Sequence, residues 1–113
     1  MEFTKLMGLI AAPFTPMKKN GSINPNIIKH YAAHLKMNGV SGVFVCDTTG
    51  EGMLLTLKER ETIAEHWIAE QTEEFKVIVH VGTTSSRQSA ELAKHSQEAG
   101  AYAIGCMAPM FLN

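Results

Sequence analysis

The chain has 113 residues, 45% of them hydrophobic and 19% charged, and a net charge of −1 with its histidines neutral. That is enough chain for one domain with a real core, at the composition of an ordinary globular protein. The scattered basic residues, of which only Lys18 and Lys19 are adjacent, exclude the footprint of a nucleic-acid or acidic-membrane binder, and no apolar run approaches the roughly 20 residues that span a bilayer.

The opening residues, Met1 to Lys5, lack the apolar core of a secretory signal and carry Glu2 where a basic region belongs. A cytoplasmic protein is expected, with Cys46 and Cys106 as buried thiols inside apolar runs. The first such run, Leu6–Phe14, reads as a strand. Pro13, Phe14, Thr15 and Pro16 end it where a dinucleotide fold would place a Gly-rich phosphate turn. A helix follows, with Asn24 as N-cap, Pro25 in the first turn, an apolar face through Ile27, Ile28, Tyr31, Ala32 and Leu35, and Gly39 as its stop.

The second run is Gly42–Cys46. Thr56 and Glu59 then form a capping box ahead of a helix whose apolar face runs through Leu57, Ile63, Ala64, Trp67 and Ile68. The third run, Lys76–Val81, leads into a helix capped near Ser85 and Ser86 and stopped at Gly100. The fourth run is Tyr102–Ala108. This β-α alternation forces parallel pairing in an α/β fold. It suits an open doubly wound sheet or part of a closed barrel equally well.

The stretch most informative about chemistry is Val45 to Gly52, where the second strand ends and a loop leads to the capped helix. Ligands of parallel α/β proteins bind at that end of the strands. The hydroxyls of Thr48 and Thr49, followed by the open backbone of Gly50, suit a small carboxylate, which accepts several short hydrogen bonds. A Thr-rich turn that only caps its own loop fits the same residues. Gly50-Glu51-Gly52 does not complete a nucleotide fingerprint, and no Walker loop occurs.

Ordered pieces along the whole chain resemble the family of N-acetylneuraminate lyase and dihydrodipicolinate synthase. They are Gly8 to Met17, Gly21 to Asn24, Gly39-Val40, Thr48 to Gly52, Leu55-Thr56 with Glu59-Arg60, His80 to Gly82, and Ala108 to Leu112. The resemblance implies a (β/α)₈ TIM barrel and a class I aldolase. In it a lysine on the sixth strand forms an imine with pyruvate's keto carbon, and a tyrosine on the fifth shuttles protons. The Thr pair after the second strand holds the carboxylate, which places substrate binding on Thr48 and Thr49. Asp47, Gly50, Thr83 and Phe111 are the further residues expected to line the site. His80-Val81-Gly82 and the ending around Phe111, which has no hydroxyl where the synthase carries tyrosine, resemble the lyase branch. Synthase or sugar-acid aldolase activity is the alternative within the family, and a non-catalytic half-barrel module that pairs with other subunits is the alternative outside it.

A full barrel needs about 250 residues. These 113 are therefore expected to be the N-terminal half of one, with four strands and three helices, inactive alone. None of the eight lysines, and neither Tyr31 nor Tyr102, stands at the catalytic positions the resemblance implies. A keto acid is the expected ligand and a homotetramer the assembly the family implies; no cofactor, metal, nucleic acid or membrane partner is expected. Asp47 replaces the family's glycine. At roughly 6 Å its carboxylate would repel the substrate by about 3 kcal/mol at an effective dielectric near 20, so it is expected to turn away and bond a loop amide.

The remaining polar residues read more simply. His30 and His34 share a helix face at a zinc-like spacing but lack a third ligand. They read as solvated, as does His66. His80 reads as a packed histidine with a satisfied ring, Glu51 as a loop-ordering acid, and the seven methionines as filler.

Overall fold

The computed structural model describes residues 8–47 and 51–106. Four strands, β1 (Leu9–Ala11), β2 (Val40–Val45), β3 (Lys76–His80) and β4 (Ala103–Gly105), alternate with helices α1 (Ile28–Met37), α2 (Leu57–Ile68) and α3 (Ser86–Ala99). All three strand pairs are parallel, and their spatial order is their chain order. A doubly wound sheet reverses its order at a switch point, whereas a barrel winds in one direction. The unreversed order, with α1 against α2 and α2 against α3, resolves the choice that periodicity left open.

One face of the sheet carries the core. Val43 and Val45 of β2 pair with Val77 and Val79 of β3, and all four are buried beneath Ile28, Ala32, Ile63, Ala64 and Leu92. The alternation that puts these valines toward the helices puts Phe44, Ile78 and His80 on the opposite face. There the rings of Phe44 and His80 lie 5.7 Å apart. Trp67 is the largest buried side chain, meeting Tyr31 edge-on at 5.3 Å and Phe75 at 6.5 Å.

Local signals set most helix ends. The Thr56–Glu59 capping box forms in both directions, with Glu59 N–H donating to Thr56 Oγ1 at 3.1 Å and Thr56 N–H donating to Glu59 Oε1 at 2.9 Å. Ser85 caps α3, and Gly100 ends it with φ +98°. The start of α1 departs from expectation. Asn24 makes no side-chain cap; a 3₁₀ turn, Pro25–Ile27, comes first. The cause is the preceding loop, where the bridge between Met17 and Ile23 commits the Asn24 N–H to the Pro16 carbonyl at 2.7 Å.

Cys106 is also a correction: it is exposed, while Cys46 is buried. β4 pairs on one side only, with β3, so the residue following it has no second strand against it among the described residues. Among the described residues no helix is long and apolar enough to cross a membrane.

Candidate active site

The predicted carboxylate loop, Thr48, Thr49 and Gly50, lies outside the described residues, as does Phe111. Its frame is described on both flanks. Cys46, directly after β2, has φ +63°, and Glu51, directly after the loop, has φ +60°. A left-handed backbone at a non-glycine residue costs on the order of 1 kcal/mol and persists where surrounding structure enforces it. Here the enforcing contacts are visible. The Gly52 N–H donates to the Asp47 carbonyl at 3.0 Å, and any Cβ at Gly52 would collide with the backbone of Cys46. Cys46 and Asp47 on one flank thus lie directly against Gly52 on the other. Glu51 is exposed and adds no side-chain cap to the 3₁₀ turn at Gly52–Leu54.

Behind this frame sits Arg60, 3% exposed, on α2. Its Nη1 donates to the Gly82 carbonyl at 2.8 Å and its Nη2 to the His80 carbonyl at 2.7 Å, while its Nε is buried without a partner. The guanidinium also lies close enough to the Cys46 thiol for their electrostatics to couple. Arg60 therefore joins the C-terminal ends of β2 and β3. Burial pushes the Cys46 thiol up to about 11, against the smaller opposing pull of Arg60. His80 is depressed below its ordinary value by burial first and by the Arg60 charge second, so a neutral imidazole occupies the rim at pH 7. Its Nδ1 is buried without a partner among the described residues, contrary to the expected satisfied ring.

Arg60 was missing from the candidates read from sequence. The signal was present: Arg60 lies three residues from both Leu57 and Ile63, on the stripe that α2 buries. An arginine on an apolar stripe points to a polar partner across the core, but that partner lies about twenty residues away and cannot be read locally.

Thr83 does stand after β3, beside the same rim. Its hydroxyl donates to the Ser85 carbonyl at 2.6 Å, accepts from Ser85 N–H at 3.0 Å and pairs with Ser89 Oγ at 2.9 Å. It shapes the turn into α3 and lines a small pocket of about 110 Å³ with Gly52, Leu57 and Arg60. Asp47 is half-buried at the loop entrance. The other candidates stand apart from the rim. His30 and His34 are exposed on α1, and among the described residues no three potential ligands are placed to hold a metal. His66 Nδ1–H donates to the Thr62 carbonyl at 2.9 Å within α2. Lys36 and Lys76 lie over the rings of Phe75 and Tyr102, each at 5.1 Å, and are less solvated than expected. Lys18, Lys19, Lys29, Lys58 and Lys94 are exposed.

Parallel strands in unreversed order under one layer of helices, with left-handed Cys46 and Glu51 and buried polar groups at their C-terminal ends, define part of a (β/α)₈ barrel of the kind that binds ligand at that rim. The chain belongs to the dihydrodipicolinate synthetase family, whose pattern its residues 5–113 match. It is 46% identical over 110 residues to N-acetylneuraminate lyase of Homo sapiens, covering 96% of this chain and 34% of that protein. The structure of N-acetylneuraminate lyase (sialic acid aldolase) from Aliivibrio salmonicida matches with a TM-score of 0.90 at 38% identity, covering 96% of this chain and 36% of that one. An E. coli K12 prophage protein of the dihydrodipicolinic acid synthase family, solved in complex with pyruvate, matches with a TM-score of 0.85 at 28% identity over 93% of this chain and 35% of that one. The chain thus spans about a third of the length of the relatives it matches.

Proposed function

We propose that the chain is the N-terminal half-barrel of a class I aldolase that cleaves N-acetylneuraminate to N-acetylmannosamine and pyruvate, and that it supplies the carboxylate-binding loop. The observation that carries this reading is the 46% identity to N-acetylneuraminate lyase of Homo sapiens along almost the whole chain. In this reading Thr48 and Thr49 donate to the keto acid's carboxylate, beside Asp47, Gly50, Thr83 and Phe111. Two features support placing an anion there: the loop leaves the C-terminal end of β2, and both its flanks are held in left-handed conformation.

The chemistry follows from the imine. An amine that has condensed with the keto carbon, once protonated, draws electrons from the bond between the α and β carbons while the β-hydroxyl gives up its proton to a base. That bond breaks, the sugar portion leaves as an aldehyde, and the pyruvate enamine is protonated and hydrolysed. The lysine and proton-carrying tyrosine belong to later strands, so residues 1–113 alone are expected to be inactive. A cytoplasmic homotetramer is the assembly that accompanies this reading, checked by sedimentation.

Pyruvate release from N-acetylneuraminate, followed by borohydride trapping and mass mapping on the longest natural form of the chain, tests it. Turnover and an adduct on a lysine beyond residue 113 are expected. No adduct, or one on any lysine between Lys5 and Lys94, would overturn the reading.

A further inference from the structure

We propose that the ring of Phe44 is the floor of the keto-acid site and excludes a branch on the carbon beside the ketone. The role rests on the aldolase reading above and names a residue that limits its substrate. The first observation is position. Phe44, His80 and Gly105 are the last residues of β2, β3 and β4 to face away from the helices. In a barrel that face is the interior, and ligand binds at its C-terminal end. Val43 and Val45, on either side of Phe44, are fully buried under the helices, whereas Phe44 itself is only half-buried. An aromatic surface therefore looks into the space beneath the rim.

The second observation is how that ring is seated. A Cβ built on Gly105 would lie 2.8 Å from Phe44 Cε2, 3.2 Å from its Cζ and 3.9 Å from Ile78 Cγ2. The Phe44 ring thus reaches across β3 and rests against the backbone of β4, with the His80 ring 5.7 Å from it. His80 is fitted in the same way: a Cβ at Gly82 would lie 2.7 Å and 2.9 Å from its Cε1 and Nε2. Contacts this close leave the Phe44 ring no room to sink further into the sheet, so its position sets the depth of the site. The sugar portion of N-acetylneuraminate leaves the carbon beside the ketone toward the open rim, and the remaining hydrogens of that carbon face the ring.

A Phe44 that only filled the interior would affect every keto acid alike, whereas one that bounds the site discriminates by shape. The measurement is borohydride trapping on the longest natural form of the chain with glyoxylate, pyruvate and 3-methyl-2-oxobutanoate. The branched acid can direct one methyl along the path of the sugar but must point the other at the ring. Each acid's own reactivity cancels when variants are compared. Phe44→Ala is expected to raise trapping of the branched acid relative to pyruvate about tenfold, the lower end of what one methylene is worth in a fitted pocket. Gly105→Ala, whose added carbon displaces the ring from the sheet toward the barrel axis, is expected to lower pyruvate relative to glyoxylate by about the same factor. If Phe44→Ala does not fold, Phe44→Leu carries the comparison in its place. A ratio within twofold of the unaltered chain, or shifted the opposite way, in either variant overturns the role and leaves the aldolase reading standing. No pyruvate adduct in the unaltered chain overturns both.

Discussion

The helix-facing layer and the C-terminal rim are built from the same two strands to opposite specifications. At Val43, Val45, Val77 and Val79 the backbone is regular, the side chains are at most 2% exposed, and the neighbours are apolar. One residue further along stand a left-handed cysteine and a histidine with an orphaned ring nitrogen, with the buried arginine of α2 against them. The layer stabilises; the rim costs stability. Strain and unsatisfied polar groups at the ligand end of a barrel are what a binding site retains when the core beneath it is strong enough to hold them.

The comparison can be broken by measurement on the longest natural form of the chain. The largest effect belongs to the layer: Trp67→Ala should cost about 3–5 kcal/mol in denaturant unfolding, through lost burial and the cavity left between α1, α2 and Phe75. A loss below about 1 kcal/mol would mean the layer is not the stable half. Next comes the rim's response to alkali. The unfolded Cys46 ionises near 9 and the folded one near 11, so the unfolded state releases its proton first. Stability should fall as pH rises from 9 to 11, by up to about 3 kcal/mol, and Cys46→Ala should remove that slope. A slope that survives the substitution would detach it from the rim. Thr56→Ala removes half of the capping box, with an expected cost of about 1 kcal/mol and little change in ligand affinity. The smallest effect is expected of Asp47→Gly: pyruvate affinity should change less than tenfold, and a larger gain would show that the Asp47 carboxylate faces the substrate.

The layer was the more legible of the two regions, and the reason is physical. Thr56 and Glu59 satisfy each other within one turn, and alternating valines declare a strand covered by helices, so both can be read from neighbours in sequence. The start of α1 was misjudged because the Asn24 backbone answers to Pro16 across a loop. The exposure of Cys106 depends on which strands flank β4, which its own apolar run does not reveal. At the rim, the end of β2 ahead of residues 48–50 was legible, while Arg60 was not. Its partners at His80 and Gly82 become neighbours only once β3 is laid beside β2. His80 was read as packed, correctly, but the lack of a partner at Nδ1 is a tertiary property that no local pattern encodes.

The most direct test concerns the paired hydroxyls. Pyruvate affinity, read from borohydride trapping over a range of concentrations, should be compared between the unaltered chain and Thr48→Val with Thr49→Val. Hydrogen bonds to a charged group contribute about 1.5–3 kcal/mol each, so a weakening of roughly a hundredfold or more is predicted, with unfolding stability nearly unchanged. An affinity within twofold of the unaltered chain, in a folded variant, would contradict the placement of the carboxylate at this loop.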